Sequence, residues 1–352
     1  MGNVRTSLRD VAAEAGVSPM TASNALRGKP GVRRSTRQKV LETAERLNYR
    51  INLTASMLKS GRSNIIHIIV NEFDSPFYSK LVQALADETT KRGFTPFVEQ
   101  TRYSPDAGKQ ALASSPFSGQ LFDGEIIHAS GLGTNLPLAK LNAGRPLVLI
   151  DGCEETPSVD TVNFPNEEGA RAAVQHLIER GCKHIAIVAG GYAPRSELAR
   201  TETAYGLRLR GASSALIDAG LAYDESVVLR AFDSENGIVC GRELAEKTQG
   251  GIPFDGVFCA NDYSAFGVIR GLADCGLRVP DDMKVIGIDG TSFGSYATPT
   301  LSTIQVDLNQ LAQFSLDMIA RRIDERDRGT EQQAPACATI GYRLTEREST
   351  RP

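Results

Sequence analysis

The chain has 352 residues, room for two or three packed domains, with 41% apolar and 23% charged residues, no Trp and a formal net charge of −3. That balance hides an asymmetry: residues 1–62 carry 12 Lys and Arg against 4 Asp and Glu, a net of +8, and the remainder nets −11. A basic arm on an acidic body points to a nucleic-acid module at the N-terminal end, and the ordinary composition excludes a low-complexity chain. No run is long and apolar enough to span a membrane and the first residues lack a hydrophobic signal core, so a cytoplasmic protein is expected. The six cysteines are scattered without a C-x-x-C pair and read as reduced core thiols. The four histidines show no ligand spacing, so neither a metal nor a cofactor is expected.

The first predicted element starts at Leu8, because Ser7 and Asp10 have capping-box spacing. Leu8, Val11, Ala12 and Ala15 supply its apolar face, and Gly16 is its left-handed stop. Ser18 can cap a second helix with Pro19 in its first turn, where the missing N–H costs nothing. Helix, three-residue turn with Gly, helix is the helix-turn-helix spacing. In that motif the second helix lies in the major groove with its N-terminal side chains on base edges, here Pro19, Met20, Thr21, Ser23 and Asn24. Val17, Ala22 and Leu26 face inward. An ordinary helical hairpin with a solvated polar face is the competing interpretation.

The residues after Leu26 favour DNA. Ser35 and Gln38 form a second capping box, opening a helix to about Leu47 whose Val40, Leu41, Ala44 and Leu47 close a three-helix core. Arg27, Lys29, Arg33 and Arg34, with Arg37 in the first turn, cluster where phosphates would pass. Ser7 and Ser18, at the helix starts, belong to the same DNA-facing set. Residues 52–61 form a short helical candidate, too short to be stable alone.

From Ile65 the pattern changes to strands alternating with helices: strand Ile65–Val70, helix Phe77–Gly93, strands Phe94–Val98, Gly124–His128 and Leu147–Ile150. The scheme then repeats with helix Asn166–Arg180, strand Ile185–Val188, a helix at about Leu198–Ala219, strand Val227–Leu229, helix Asn236–Thr248, strand Gly256–Cys259, helix Ser264–Cys275 and strand Lys284–Ile288. Such alternation predicts an α/β fold of two doubly wound parallel lobes, with a ligand between them at the carboxyl ends of strands.

The pieces S-L-R-D-V-A-x-x-A-G-V-S, L-R-G, R-x-x-V-L-x-x-A-E-x-L-N-Y and N-x-x-A-x-x-L, in order along the chain, resemble the LacI/GalR family of transcriptional repressors. The resemblance implies a helix-turn-helix domain over 1–50 and a hinge helix and linker over 51–62. It also implies a first effector-binding lobe over 63–163 and 293–330, and a second over 164–292 and 331–352, similar to periplasmic sugar-binding proteins. It further implies a homodimer on a pseudo-palindromic double-stranded operator at the nucleoid. In such a dimer Asn52, Ala55 and Leu58 sit at the central minor groove and Leu58 wedges into a base step. Ser56 stands where the family often has Arg and Ile51 where Pro is usual, so an altered minor-groove affinity is expected; Asn24 stands where Arg is common, so the operator half-site should differ from the family average.

Polar residues at strand ends mark the ligand site. Asp151 follows V-L-I, Asn261 follows V-F-C-A, Asp289 follows V-I-G-I, and Arg208 lies on a helix before Gly211. Carboxylates, an amide and a guanidinium can together bind several hydroxyls, and Phe164 and Phe232 can stack on a sugar ring. By resemblance, Asp151, Arg208, Asn261 and Asp289 match the family's effector contacts. Likewise Ser75-Pro76-Phe77 matches the first-lobe loop that closes over the ligand, and Phe73 just before it is counted with the effector residues. Ser75 for Asn, Pro165 for Asp, and Val306 and Leu308 at other pocket positions leave the effector open. A carbohydrate is the first expectation and a purine-like or other small polar ligand the second. An enzyme is the rival class, but no G-x-G-x-x-G, P-loop or G-x-S-x-G occurs. A free transport protein is disfavoured by the absent signal sequence and the attached helix-turn-helix.

Overall fold

The computed structural model describes residues 6–26, 28, 30–49, 62–113, 121–130, 132, 138, 144–251 and 253–351. The chain divides into two compact units, Met1–Ser63 and Asn64–Pro352.

Among its described residues the first unit holds three helices, α1 (Leu8–Ala15), α2 (Pro19–Leu26) and α3 (Arg34–Arg46). The Ser7–Asp10 capping box is complete in both directions: the Asp10 N–H donates to Ser7 Oγ at 3.3 Å, and the Ser7 N–H to Asp10 Oδ2 at 2.7 Å. Gly16 ends α1 at φ 67°. Ser18 Oγ accepts the Thr21 N–H at 3.1 Å at the start of α2. The core is built from small side chains, Val11, Ala12, Ala15, Ala22, Ala25, Val40 and Ala44, with Leu8, Val17, Leu26 and Leu47 packed around it. Two expectations fail on α3. The helix starts two residues early, at Arg34 after Arg33, with no side-chain cap. Gln38 turns along the helix to Glu42 instead of back to Ser35. Leu41 is exposed, and Thr43 takes the inward position expected of it.

The second unit contains two six-stranded sheets. The first has the order β11-β5-β4-β3-β1-β2, formed by β1 (Ile65–Val70), β2 (Thr95–Gln100), β3 (Gly124–His128), β4 (Leu147–Ile150), β5 (Asp160–Asn163) and β11 (Cys337–Thr339). Its helices are α4 (Pro76–Lys91), α5 (Pro105–Ala113) and α11 (Leu308–Arg328). The second sheet has the order β12-β10-β9-β8-β6-β7, formed by β6 (Ile185–Ala189), β7 (Val228–Arg230), β8 (Gly256–Cys259), β9 (Lys284–Asp289), β10 (Ser302–Val306) and β12 (Tyr342–Thr345). Its helices are α6 (Asn166–Glu179), α7 (Arg195–Leu198), α8 (Ala204–Asp218), α9 (Ser234–Gln249) and α10 (Asp262–Asp274).

All pairings are parallel except β10 with β12. The central strands are runs of β-branched residues buried on both faces, as I-I-H-I-I-V in β1 and I-A-I-V-A in β6. In each lobe the first strand lies between the next two in sequence, so each sheet has its switch point at β1 or β6. In the second lobe α9 and α10 cross so closely that a Cβ on Gly271 would collide with the Ile238 carbonyl.

The boundaries between lobes differ from those expected. Residues 293–306 stay in the second lobe, because β10 runs parallel to β9 with Ser302 opposite Ile286. The chain crosses at Asp307, whose side chain caps α11 through the Gln310 N–H at 3.0 Å. Helix α11 then buries Leu311, Leu316, Ile319 and Ile323 in the first lobe, and β11 pairs with β5 there. Only from Tyr342 does the chain rejoin the second lobe. The reason is that β10 buries Ser302 and Thr303, whose hydrogen bonds go to second-lobe partners: Thr303 Oγ1 donates to Asp262 Oδ1 at 2.6 Å, and Ser349 Oγ accepts the Ser302 N–H at 2.8 Å. The expected helix at 198–219 is two pieces, α7 and α8, and strands β5 and β10 and helix α5 were not anticipated.

Candidate functional site

The carboxyl ends of both sheets supply the polar residues of the second unit. Asp151 follows β4, Phe164 and Asn166 follow β5, Asn261 follows β8 and Asp289 ends β9. Asp151 and Asp289 both have positive φ, 60° and 125°, which L-residues rarely adopt and which concentrates at functional sites.

Four of these groups are joined in one buried chain. Asn166 Nδ2 donates to Asp151 Oδ1 at 2.7 Å, and Arg208 Nε donates to Asn166 Oδ1 at 2.8 Å. The Arg208 guanidinium also donates to the Ala260 carbonyl and lies 3.6 Å from Asp289 Oδ1. All four side chains belong to buried residues. Helix α8 can hold Arg208 this close to α6 because Gly211, one turn on, leaves no room for a Cβ against the Glu167 carbonyl. Burial pushes the Asp289 carboxyl well above the usual carboxylate range; Arg208 opposes that rise and Asp262 adds to it. Burial alone would weaken the Arg208 charge, but Asp289 and Asp151 outweigh it and hold its pKa above the ordinary value.

The remaining sequence-derived residues are distributed around this chain. Phe77 is buried edge-on against Phe164 at 5.5 Å, and Ser75 is buried at the start of α4. Asn261 is committed to structure: its Oδ1 caps α10 through the Ser264 N–H at 2.6 Å, and its Nδ2 donates to Tyr205 Oη at 2.8 Å and to the Phe232 carbonyl at 3.2 Å. Phe73 and Phe232, each 43% exposed, stand on opposite lobes, and Phe232 packs edge-on against Tyr205 at 4.9 Å. The two walls sense each other electrostatically. Burial raises the Glu72 pKa, its hydrogen bond from Tyr103 lowers it, and Asp74 and Asp233 of the opposite lobe raise it further.

Two of the nine expected effector residues, Phe77 and Asp289, border a cavity of about 900 Å³ that lies against α4 and the crossing segments. Val306 and Leu308 line it as well. Charged groups are buried and matched in the Asp151–Asp289 chain, as they also are where Arg322 meets Asp160 and Glu325. Asn166 was missed from sequence. Its only signal was an amide opening a helix directly after a strand.

In the first unit the expected base-reading residues lie along α2: Met20 is 72% exposed, Pro19 is exposed, and Thr21, Ser23 and Asn24 are half-buried. Arg33 and Arg34 are exposed at the start of α3. Ser7 and Ser18 are engaged as helix caps. Arg27, Lys29, Asn52, Ala55 and Leu58 lie outside the described residues.

Comparison with known proteins decides the relationship. Residues 7–52 match the family model of bacterial regulatory proteins of the lacI family, and residues 174–350 match a periplasmic binding protein-like domain. The chain is 30% identical over 328 residues to the HTH-type transcriptional repressor PurR of Haemophilus influenzae, covering 93% of this chain and 94% of that one. The chain belongs to the LacI family. Its fold is similar to that of the lac repressor dimer bound to operator and the anti-inducer ONPF, with a TM-score of 0.77 and 26% identity over 98% of this chain and 99% of the other. It is also similar to a complex of the transcriptional regulator CelR with cellobiose, with a TM-score of 0.68 and 28% identity over 98% of this chain and all of the other. This LacI-family member is therefore a DNA-binding transcriptional repressor with an effector-binding domain, and a regulator rather than an enzyme. Among the described residues no helix is long and apolar enough to cross a membrane.

Proposed function

We propose that this repressor acts as a homodimer on a pseudo-palindromic operator, in the cytoplasm at the nucleoid, and that a small carbohydrate bound between its lobes sets its operator affinity. The observation that carries the effector reading is the buried chain Asp151–Asn166–Arg208–Asp289. It offers carboxylate acceptors and a guanidinium donor at fixed spacing, with Phe77 and Phe164 beside it as apolar walls. Vicinal hydroxyls, each both donor and acceptor, suit that alternation. The CelR relative is seen with cellobiose, which favours the same class. The helices of residues 7–49, with Arg33 and Arg34 exposed, would read the half-sites, and Asn52, Ala55 and Leu58 would meet their partners in the central minor groove. For the second copy, the exposed Phe293 and Tyr296, 5.3 Å apart, offer an apolar patch.

A second reading, a purine base, is favoured by the aromatic side chains beside the Asp151–Asp289 chain, where Phe77 packs edge-on against both Tyr78 and Phe164. A thermal-shift screen of sugars and nucleobases against the protein separates the two. Stabilisation by a sugar alone supports the first reading, and stabilisation by bases alone replaces it with the second.

A further inference from the structure

His128 ends β3 at its carboxyl end and is 4% exposed. Its ring is held by Tyr78, edge-on at 5.2 Å, and by Phe164. It lies within electrostatic reach of both Asp151 and Arg208, two members of the buried polar chain.

The hydrogen bonds around the ring define its tautomer. The Ser130 backbone N–H donates to Nδ1 at 3.2 Å, and a backbone N–H can only donate. Asn71 repeats the assignment. Its Oδ1 accepts from Thr101 Oγ1 at 3.2 Å and its Nδ2 donates to Tyr78 Oη at 2.8 Å, so the face it turns to Nδ1, at 3.4 Å, is also a donor. Nδ1 is therefore the lone-pair nitrogen, and the proton sits on Nε2. Burial drives the ring pKa down to about 4, Asp151 raising it and Arg208 lowering it further, so the imidazole is neutral at physiological pH.

Nε2 is left over. It has no hydrogen-bond partner among the described residues, and it is not among the sealed, unpartnered atoms of the interior. A polar N–H held in an apolar frame, within electrostatic reach of Asp151 and without a partner among the described residues, is a donor waiting for an acceptor. We infer that His128 is an effector-contacting residue, its Nε2–H donating to an oxygen of the ligand. This rests on the cleft being the effector site, and it narrows the ligand's chemistry. At this position the ligand carries an acceptor, a hydroxyl, ring or carbonyl oxygen. A hydroxyl is matched on both sides, accepting from His128 while donating to a carboxylate such as Asp151. A group that only donates, such as an ammonium, faces the imidazole N–H unmatched and is rejected.

The test uses the full chain, its His128→Leu and His128→Gln variants, and five probes: cellobiose, glucose, ribose, adenine and hypoxanthine. For the probe giving the largest thermal shift, His128→Leu should weaken binding at least about 10-fold, while His128→Gln, which keeps an N–H near the same place, stays within about 3-fold. Nitrogen-15 spectra of the His-labelled wild type should show the Nε2–H tautomer, neutral near pH 7, with Nε2 shifting on probe binding. That arm stands even if the Leu variant fails to fold. A proton on Nδ1, a doubly protonated ring, or equal affinity in wild type and His128→Leu overturns the assignment. Binding of bases but no sugar overturns the carbohydrate reading and leaves His128 to be judged on the bases. Binding of no probe overturns both.

Discussion

The two units handle their functional side chains in opposite ways. In the N-terminal unit the residues that would meet DNA stand outside a core of alanines and valines, with Met20, Arg33 and Arg34 exposed. In the sensor unit the residues that would meet the ligand are buried and already satisfied by one another, from Asp151 through Asn166 and Arg208 to Asp289. An exposed cationic surface gains its affinity from a partner of high charge density and needs little rearrangement to bind. A buried, matched network must exchange partners when a solute enters, and its groups come from both sides of a crossing between lobes. That is where a small molecule can favour one lobe arrangement over another, and a ligand shifts an equilibrium only by such a preference.

The contrast can be broken most severely by removing residues 1–62. Operator binding should vanish in a gel-shift assay while effector-induced thermal stabilisation of the remainder persists; joint loss would mean the units are not independent. Next in size is Arg208→Ala. It strands Asp289 and Asn166 without their partner, and leaving a buried polar group unpaired costs about 1–3 kcal/mol. The melting temperature should drop and the effector response disappear, while operator binding by the folded fraction remains.

A smaller effect comes from pH. The Asp289 carboxyl has a folded pKa raised above its unfolded value, so its contribution to stability is intact below the ordinary carboxylate range and is lost as pH rises toward about 8. Wild type should lose more than about 1 kcal/mol relative to Asp289→Asn across that window, read as diverging melting temperatures. A wild type that instead gains stability with rising pH relative to the variant would show the carboxylate to be well matched when charged. The smallest effect is Ser7→Ala, which removes the α1 cap and should destabilise the N-terminal unit by about 1 kcal/mol without touching the ligand response.

The same contrast explains what could be read from sequence. Local chemistry was legible: the Ser7–Asp10 box, the Gly16 stop and the apolar runs of β1, β4, β6 and β8 depend on neighbours within a few residues. The positions of strand ends were legible too, since Asp151 follows the V-L-I run and Asp289 the V-I-G-I run as those runs predict. Strand β10 was not, since Ser302 and Thr303 are polar in sequence and become core only through Asp262 and Ser349, about 40 residues or more away. With β10 went the position of the second crossing. Asn166 and His128 were missed for the same reason: an amide and an imidazole show their roles only through partners that the fold brings to them. Asn261 errs in the other direction, its strand-end position being as much a helix cap as a contact.

The most direct test of the account is operator affinity across a salt series, with and without the stabilising effector, in wild type and Arg208→Ala. The duplex would be a twofold-symmetric sequence selected from a random library. The account predicts steeply salt-dependent binding that the effector changes at least about 10-fold in wild type and leaves unchanged in Arg208→Ala. An equal effector response in both proteins would contradict it, as would binding without preference for any symmetric duplex.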